Sequence, residues 1–323
     1  MKLATAVALL VLLSAMALLA QVPSLVPAND FDSDGLDDTL EQKLLEKFRP
    51  VFMLSGTECD VAPAEFMPGT IEPTVKKQNG SIYGQVFPHR EDNARIEIHY
   101  YHLWSRDCAR FGHALDAEHV ATLVRAEQDS YKALYWYAAA HEDTMCDGSS
   151  GATAASLQAE LQGAVVWVSS GKHASFLSKE CTGACGEDRC ENPSAMVAGA
   201  LINLGEVGKP LNGALWTSSP LWPLSIKMQP IFTDPVLAQL SASEGIIPLN
   251  DSSRAKKGVI RRAGVTADAL ETGHDHTGAA VSTGSERTGD AVSTGYSSTK
   301  SSLRRAAGAV GRWFRGDRSK AAN

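Results

Sequence analysis

Five short runs constrain this chain more than any other feature: Ser81 to Phe87, Arg95 to Trp104, Val120 to Arg125, Lys132 to Ala140 and Ala164 to Ser169. They are rich in Val, Ile, Tyr and Trp, side chains that suit a pleated, half-buried surface. Gly, Asn, Asp and Pro clusters break them at short intervals, which marks turns between strands. The class is therefore mainly β, and the spacing predicts an antiparallel β-sandwich over residues 49–248. Residues 154–162 and parts of 194–205 are expected as short helices. With 323 residues and 44% apolar content, the chain can bury a real core in one large domain or two small ones.

The two ends read differently. Met1-Lys2, the apolar run Leu3 to Leu13 and the small-residue stretch Ala15-Met16-Ala17 (with Ala20 as an alternative cleavage point) have the make-up of a secretory signal peptide over 1–20. A secreted or cell-envelope location follows, in which Cys59, Cys108, Cys146, Cys181, Cys185 and Cys190 can form disulfides. Six cysteines allow about fifteen pairings, so no connectivity is assigned. Zinc is the rival for the crowded loop Cys181 to Cys190, but no Cys/His pair sits at zinc-finger spacing.

From 249 to 302 the chain is rich in Ser, Thr and Gly, with an imperfect repeat in which Thr277 to Gly284 recurs as Thr288 to Gly295. Small residues of this kind cannot bury a core, so disorder is expected. His274 and His276 are a chance pair in this linker. Over 303–323, Leu303, Ala306, Ala307, Val310, Trp313 and Phe314 follow helical spacing among Arg304, Arg305, Arg312 and Arg315. A basic amphipathic helix of this kind suits an anionic membrane surface, with a solvated basic tail as the alternative. The net charge of −7 hides this asymmetry: the middle of the chain is acidic, which argues against nucleic-acid binding by the folded domain.

After a linker from 21, Asp30 to Glu41 matches the calcium-loop pattern at every constrained position. Asp30, Asp32, Asp34 and Asp38 offer carboxylates, Leu36 offers its carbonyl, Gly35 permits the sharp turn and Glu41 can bind bidentately. Leu40, Leu44, Leu45 and Phe48 continue as one face of a short helix. No helix is legible upstream, where Pro23 and Pro27 sit, and Asp37 occupies a position that is usually apolar in paired EF-hands. The expectation is a single-helix, EF-hand-like Ca²⁺ loop in a structural role; an acidic capped turn is the plainer alternative.

The segment Gly112 to Val120 carries the densest chemistry. Asp116 and Glu118, two apart in a strand, share a face, and His113 joins them from a bend that Gly112 makes easy. One imidazole and two carboxylates suit Mg²⁺, Ca²⁺ or Mn²⁺. The residues alone also allow a solvated strand end with a chance histidine.

Several stretches resemble the necrosis-inducing (NPP1-like) protein family: Lys47 to Pro50, Ser55 to Cys59 with Pro63-Ala64, Gln85 to Phe87, Ile98 to Asp107, Ala138 to His141 and Lys172 to Ala174. The specific one is Gly112 to Glu118, which resembles the family's GHRHDWE heptapeptide. The same D-x-E pattern followed by His-Ala also occurs in Vps62-like proteins. The resemblance implies a divalent cation held by His113, Asp116 and Glu118, with Asp107 as the fourth ligand, near a membrane-facing pocket. Leu115 and Ala117 replace the motif's second His and its Trp, which implies a kept scaffold with altered activity. His119, His141 and His173 are possible additional site residues.

Three functions are open to such a chain. The first is a secreted, metal-dependent binding or membrane-active protein whose cation bridges to a glycan or lipid headgroup. A metal-assisted hydrolase is the second, and a structural or adhesive envelope protein the third. No nucleophile elbow, phosphate loop or HExxH motif is present, which tilts the balance away from an enzyme.

Overall fold

The computed structural model describes residues 29–249, apart from 109–111, 129, 143, 145, 184–187, 221 and 223. The expected leader, most of the linker after it, the 250–302 stretch and the 303–323 helix with Trp313, Phe314 and its arginines lie outside the described residues.

A ten-residue helix, α1 (Asp38–Lys47), leads into β1 (Val51–Leu54) and the pair β2 (Ala64–Phe66) and β3 (Val75–Gln78). The long strands follow: β4 (Ile82–Pro88), β5 (Arg95–Arg106), β6 (Ala114–Glu127) and β7 (Ser130–Ala138), then β8 (Ser150–Thr153). After them come β9 (Val165–Val168), β10 (Ser175–Phe176), β11 (Ser194–Ala195), β12 (Leu201–Asn203), β13 (Gly205–Glu206) and β14 (Lys209–Pro210). A 3₁₀ turn at Leu215–Ser218, helices α2 (Leu224–Lys227) and α3 (Asp234–Ser241), and β15 (Ile247–Pro248) complete the order.

Seven strands form the main sheet in the order β12-β4-β5-β6-β7-β8-β15, and β10-β9-β1-β11 form a second. Pairing is antiparallel except between β1 and β9 and between β12 and β4. Both parallel pairs join segments far apart in sequence, which gives the chain the length that a parallel return requires. Phe52 and Leu54 of β1 and Val166 and Val168 of β9 meet Ile98, Tyr100, Trp104, Val120 and Trp136 of the main sheet in one core. Leu44, Leu45 and Phe48 of α1 enter the same core, each contributing about 1.5–3 kcal/mol by burial.

The main sheet is also covered on its other face, which the sandwich expectation lacked. Tyr83, Tyr101, Leu103 and Ala117 pack there against Phe66, Trp216, Trp222 and Leu224. Ala121, Leu123 and Tyr137 pack against Ile231, Phe232 and Leu240. Helices α2 and α3 lie in this layer, whereas the helices expected at 154–162 and 194–205 do not form. Residues 154–162 form a turn in which Gln158 takes φ +55°, a value outside the helical region. The 194–205 stretch instead supplies sheet edges: the Met196 N–H donates to the Phe52 carbonyl, and the Ile82 N–H to that of Ala200. Leu249 is buried and belongs to the core, so the fold runs one residue into the stretch expected to be disordered.

Cys59 is bonded to Cys108 and Cys181 to Cys190, and Cys146 is also in a disulfide. No described cysteine is free, which replaces the zinc reading and fits an oxidising, extracellular compartment. No helix among the described residues is long and apolar enough to cross a membrane.

Candidate functional site

The pairing of β5 with β6 sets Trp104 opposite Asp116 and His102 opposite Glu118. Alternation sends Asp116 and Glu118 to the face that meets the second sheet, and Ala117 and His119 to the other. His173, in the turn after β9, lays its ring flat on Trp104, with centroids 3.9 Å apart and planes at 8°. Its Nδ1 lies 2.8 Å from Asp116 Oδ2. Glu58 Oε1 stands 3.2 Å from its Nε2, an ion-pair distance off the N–H axis.

Glu58 is held in turn by the backbone N–H groups of Gly171 and Cys59, at 3.0 and 2.8 Å. The Cys59–Cys108 bond ties its turn to the end of β5, where Asp107 sits. Burial alone would lower the His173 pKa; the Asp116 and Glu58 carboxylates outweigh it and push it up to about 9. The Trp104 indole N–H donates 2.9 Å to His102 Nδ1, so His102 Nε2 donates to Ser175 Oγ at 2.7 Å. Burial first, then the neighbouring cations, hold His102 neutral.

Glu118 is buried, and its Oε2 has no hydrogen-bond partner among the described residues. Burial raises its pKa well above the usual value; Asp116 and Glu142 add to this, against Lys227 and His173. His113 forms the rim. Its side chain is 61% exposed, and its Nε2 lies 4.0 Å from Asp107 Oδ2. The kink that turns it outward has Leu115 at φ +60°, and Leu115 O takes His113 Nδ1 at 3.1 Å. Asp107, His113, Asp116 and Glu118 thus line one strand end, two at depth and two at the rim, without closing to within 4.8 Å as a set. An oxygen-rich donor set with one buried carboxylate oxygen lacking a donor fits a hard divalent cation. The Asp116–His173 pair competes for the same carboxylate.

The structure divides the three additional histidines. His173 touches Asp116. His119 lies on the opposite face, its ring stacked against His99 and Tyr101 at 5.0 and 5.2 Å. Burial lowers its pKa to about 4, despite Glu142 Oε2 at 3.3 Å. His141 Nε2 is engaged by both oxygens of Asp188 at 2.9 Å. Glu58 and Lys227 are not among the residues the sequence points to; Glu142, beside His141, is legible as a nearby carboxylate, and Glu58 has only its place beside a half-cystine as a signal.

The Asp30–Glu41 loop is assembled as its sequence expects. Asp30 accepts the N–H groups of Asp34 and Gly35 at 3.1 and 3.2 Å, and Gly35 takes φ +100°, open to glycine without strain. Asp37 is the N-cap of α1, accepting from the N–H groups of Thr39 and Leu40, which explains an acid where paired hands carry an apolar residue. Asp30, Asp32 and Asp34 lie within 4.8 Å of one another, as do Asp32, Asp38 and Glu41. Burial, then mutual repulsion, pushes Asp32 up to about 7 and Asp34 to about 6. Burial and the same neighbours raise Glu41 to about 8 against its bond from Asn203. These are acidic clusters suited to a metal ion.

No protein-family model matches the chain, and no curated protein does. Among solved structures, it is similar to NLPPya in complex with glucosamine: 16% identity over 61% of this chain and 88% of that one, TM-score 0.37. It is similar to the non-toxic HaNLP3 protein at 15% identity over 66% and 99%, TM-score 0.36. Necrosis and Ethylene inducing Protein 2, from the causal agent of cocoa's witches' broom disease, matches at 14% over 66% and 96%, TM-score 0.32. Likeness of this order carries no assignment of family or function.

Proposed function

We propose that this is a secreted, NLP-like binding protein. A divalent cation held by Asp116 and Glu118, with His113 and Asp107 at the rim, meets a polar, sugar-type ligand without bond cleavage. The observation that carries this reading is the buried Glu118 oxygen with no donor, beside a second carboxylate on the same strand face. Burial disfavours the charged form of this carboxyl, and a cation within reach would stabilise it as the carboxylate. The cation supplies a Lewis-acidic centre for ligand hydroxyls. His173, itself held by Glu58, positions the Asp116 carboxylate, and His113 at the rim is exposed to solvent.

Glucosamine, the ligand of NLPPya, is the first probe. Its affinity for the purified protein is measured by calorimetry in Ca²⁺, Mg²⁺ or Mn²⁺ and in chelator, for the wild type and for Asp116→Ala. Binding that needs the cation and weakens at least tenfold in the variant is expected. Binding indifferent to chelator and retained in folded Asp116→Ala overturns the reading. A lipid headgroup presenting a sugar would offer the same hydroxyls, with the basic 303–323 segment adding attraction to an anionic surface.

A further inference from the structure

The central site makes no use of the Asp30–Glu41 loop, yet that loop holds the densest set of unmatched charge. Asp32 is 2% exposed and Glu41 0%. Both carboxylate oxygens of Asp32, Oδ2 of Asp34 and Oε1 of Glu41 are buried with no hydrogen-bond donor among the described residues. One such oxygen already opposes folding. Four turned into a single loop call for positive charge at its centre. Asp32 belongs to both acidic groups, Asp30–Asp32–Asp34 and Asp32–Asp38–Glu41, and so joins them. All the available donors are oxygen, which selects a hard cation and, with ligands in this number and order, calcium over magnesium.

The loop is also bound to a segment distant in the sequence. Asn203, at the end of β12, donates its side-chain amide to Glu41 Oε2 at 2.6 Å, which leaves Oε1 turned into the loop. The Asn203 side-chain oxygen accepts the Gly205 N–H at 3.1 Å. Gly205 lies so close that a Cβ there would stand 3.1 Å from Asp32 Oδ2. Glu206 follows, its carboxylate taking the Gln85 amide at 2.9 Å. β12 is the edge strand of the main sheet, paired in parallel with β4.

We propose that residues 30–41 form a calcium site, with Asp30, Asp32, Asp34, the Leu36 carbonyl and Glu41 as ligands. Calcium bound there clasps α1 onto the β12–β13 edge through Asn203, a positioning residue. Loading the loop removes the repulsion among its acids and fixes Glu41 between the ion and Asn203. The terminal segment and the sheet edge then become one calcium-dependent unit.

Hydrogen exchange and thermal unfolding of the purified full chain test this, in chelator and in excess Ca²⁺. Calcium should slow exchange of the α1 amides at least tenfold and raise the midpoint, with Mg²⁺ acting only at much higher concentration. Asp32→Asn supplies a test by sign. In chelator it removes one crowded charge and should raise the midpoint. In calcium it should lower the midpoint relative to wild type and weaken calcium binding at least tenfold. Asn203→Ala should keep calcium binding within a few fold but lose the protection that calcium gives residues 201–206. Three results overturn the proposal: exchange in α1 indifferent to calcium, Asp32→Asn more stable in both buffers, or a calcium response that survives unchanged in Asp32→Asn and so arises elsewhere, as at Asp116 and Glu118.

Discussion

Acid should weaken this fold through His119. Its ring is buried between His99 and Tyr101, and burial outweighs the pull of Glu142, so the folded protein takes up the proton only near pH 4 against an ordinary 6.5. The unfolded chain binds that proton first, so falling pH favours unfolding. Stability from this group is complete above 6.5 and drains as pH falls toward 4. The whole interval is worth about 3 kcal/mol, and the part between pH 7 and pH 5 about 2 kcal/mol. Urea unfolding of wild type and His119→Gln at these two pH values, in chelator, reads this directly. The variant loses ring contacts at both values and is less stable throughout, but its loss between pH 7 and pH 5 should be about 2 kcal/mol smaller. Other histidines held neutral by burial, His102 among them, contribute to both proteins and cancel in the difference. An equal acid loss in the two proteins would refute the argument that His119 is kept neutral.

Three further outcomes are expected. Gly84→Ala would place a Cβ 2.3 Å from Leu45 Cδ2 in a core where Leu45 is fully buried; it should cost about 1–3 kcal/mol in denaturant titration, and an unchanged midpoint would count against the α1–β4 packing. Replacing Cys59 and Cys108 by Ser opens a crosslink between residues 49 apart. That should cost about 4 kcal/mol of unfolding free energy and weaken cation binding at Asp116, since Glu58 and Asp107 each adjoin one of the half-cystines; binding kept at full strength in the folded variant would show that the disulfide does not position them. Removing residues 303–323 should weaken sedimentation with anionic vesicles at low salt, and unchanged binding would make that segment a solvated basic tail.

Much of the fold was legible because its signals are local. The five β-rich runs correspond to β4, β5, β6, β7 and β9, with β6 starting earlier, at Ala114. Its first residues, Ala114 to Glu118, lack the β-branched and aromatic run that marks the rest, and they pair with β5. The helical reading of 154–162 failed because nine residues of fair propensity cannot nucleate a helix without packing, and a turn at Gln158 served the chain better. The layer over the outer face was invisible because α2 and α3 are short, and only the apolar sheet beneath them shows which of their residues are buried.

The candidate sites divide along the same line. A twelve-residue loop whose acids are spaced to surround one point is a property of contiguous backbone, so the sequence by itself determined the Asp30–Glu41 cluster and its glycine turn. Strand periodicity likewise determined that Asp116 and Glu118 share a face and that His119 does not. Only tertiary structure decided what those groups meet. His173 reaches Asp116 from 57 residues away and is itself met by Glu58, Lys227 arrives from the end of α2 and Glu142 from the loop after β7, and Asn203 closes on Glu41 across 162 positions. Ion pairs and burial depend on which distant segments the sheet pairing and the disulfides bring together. A carboxylate's field acts through space, and no sequence spacing records it.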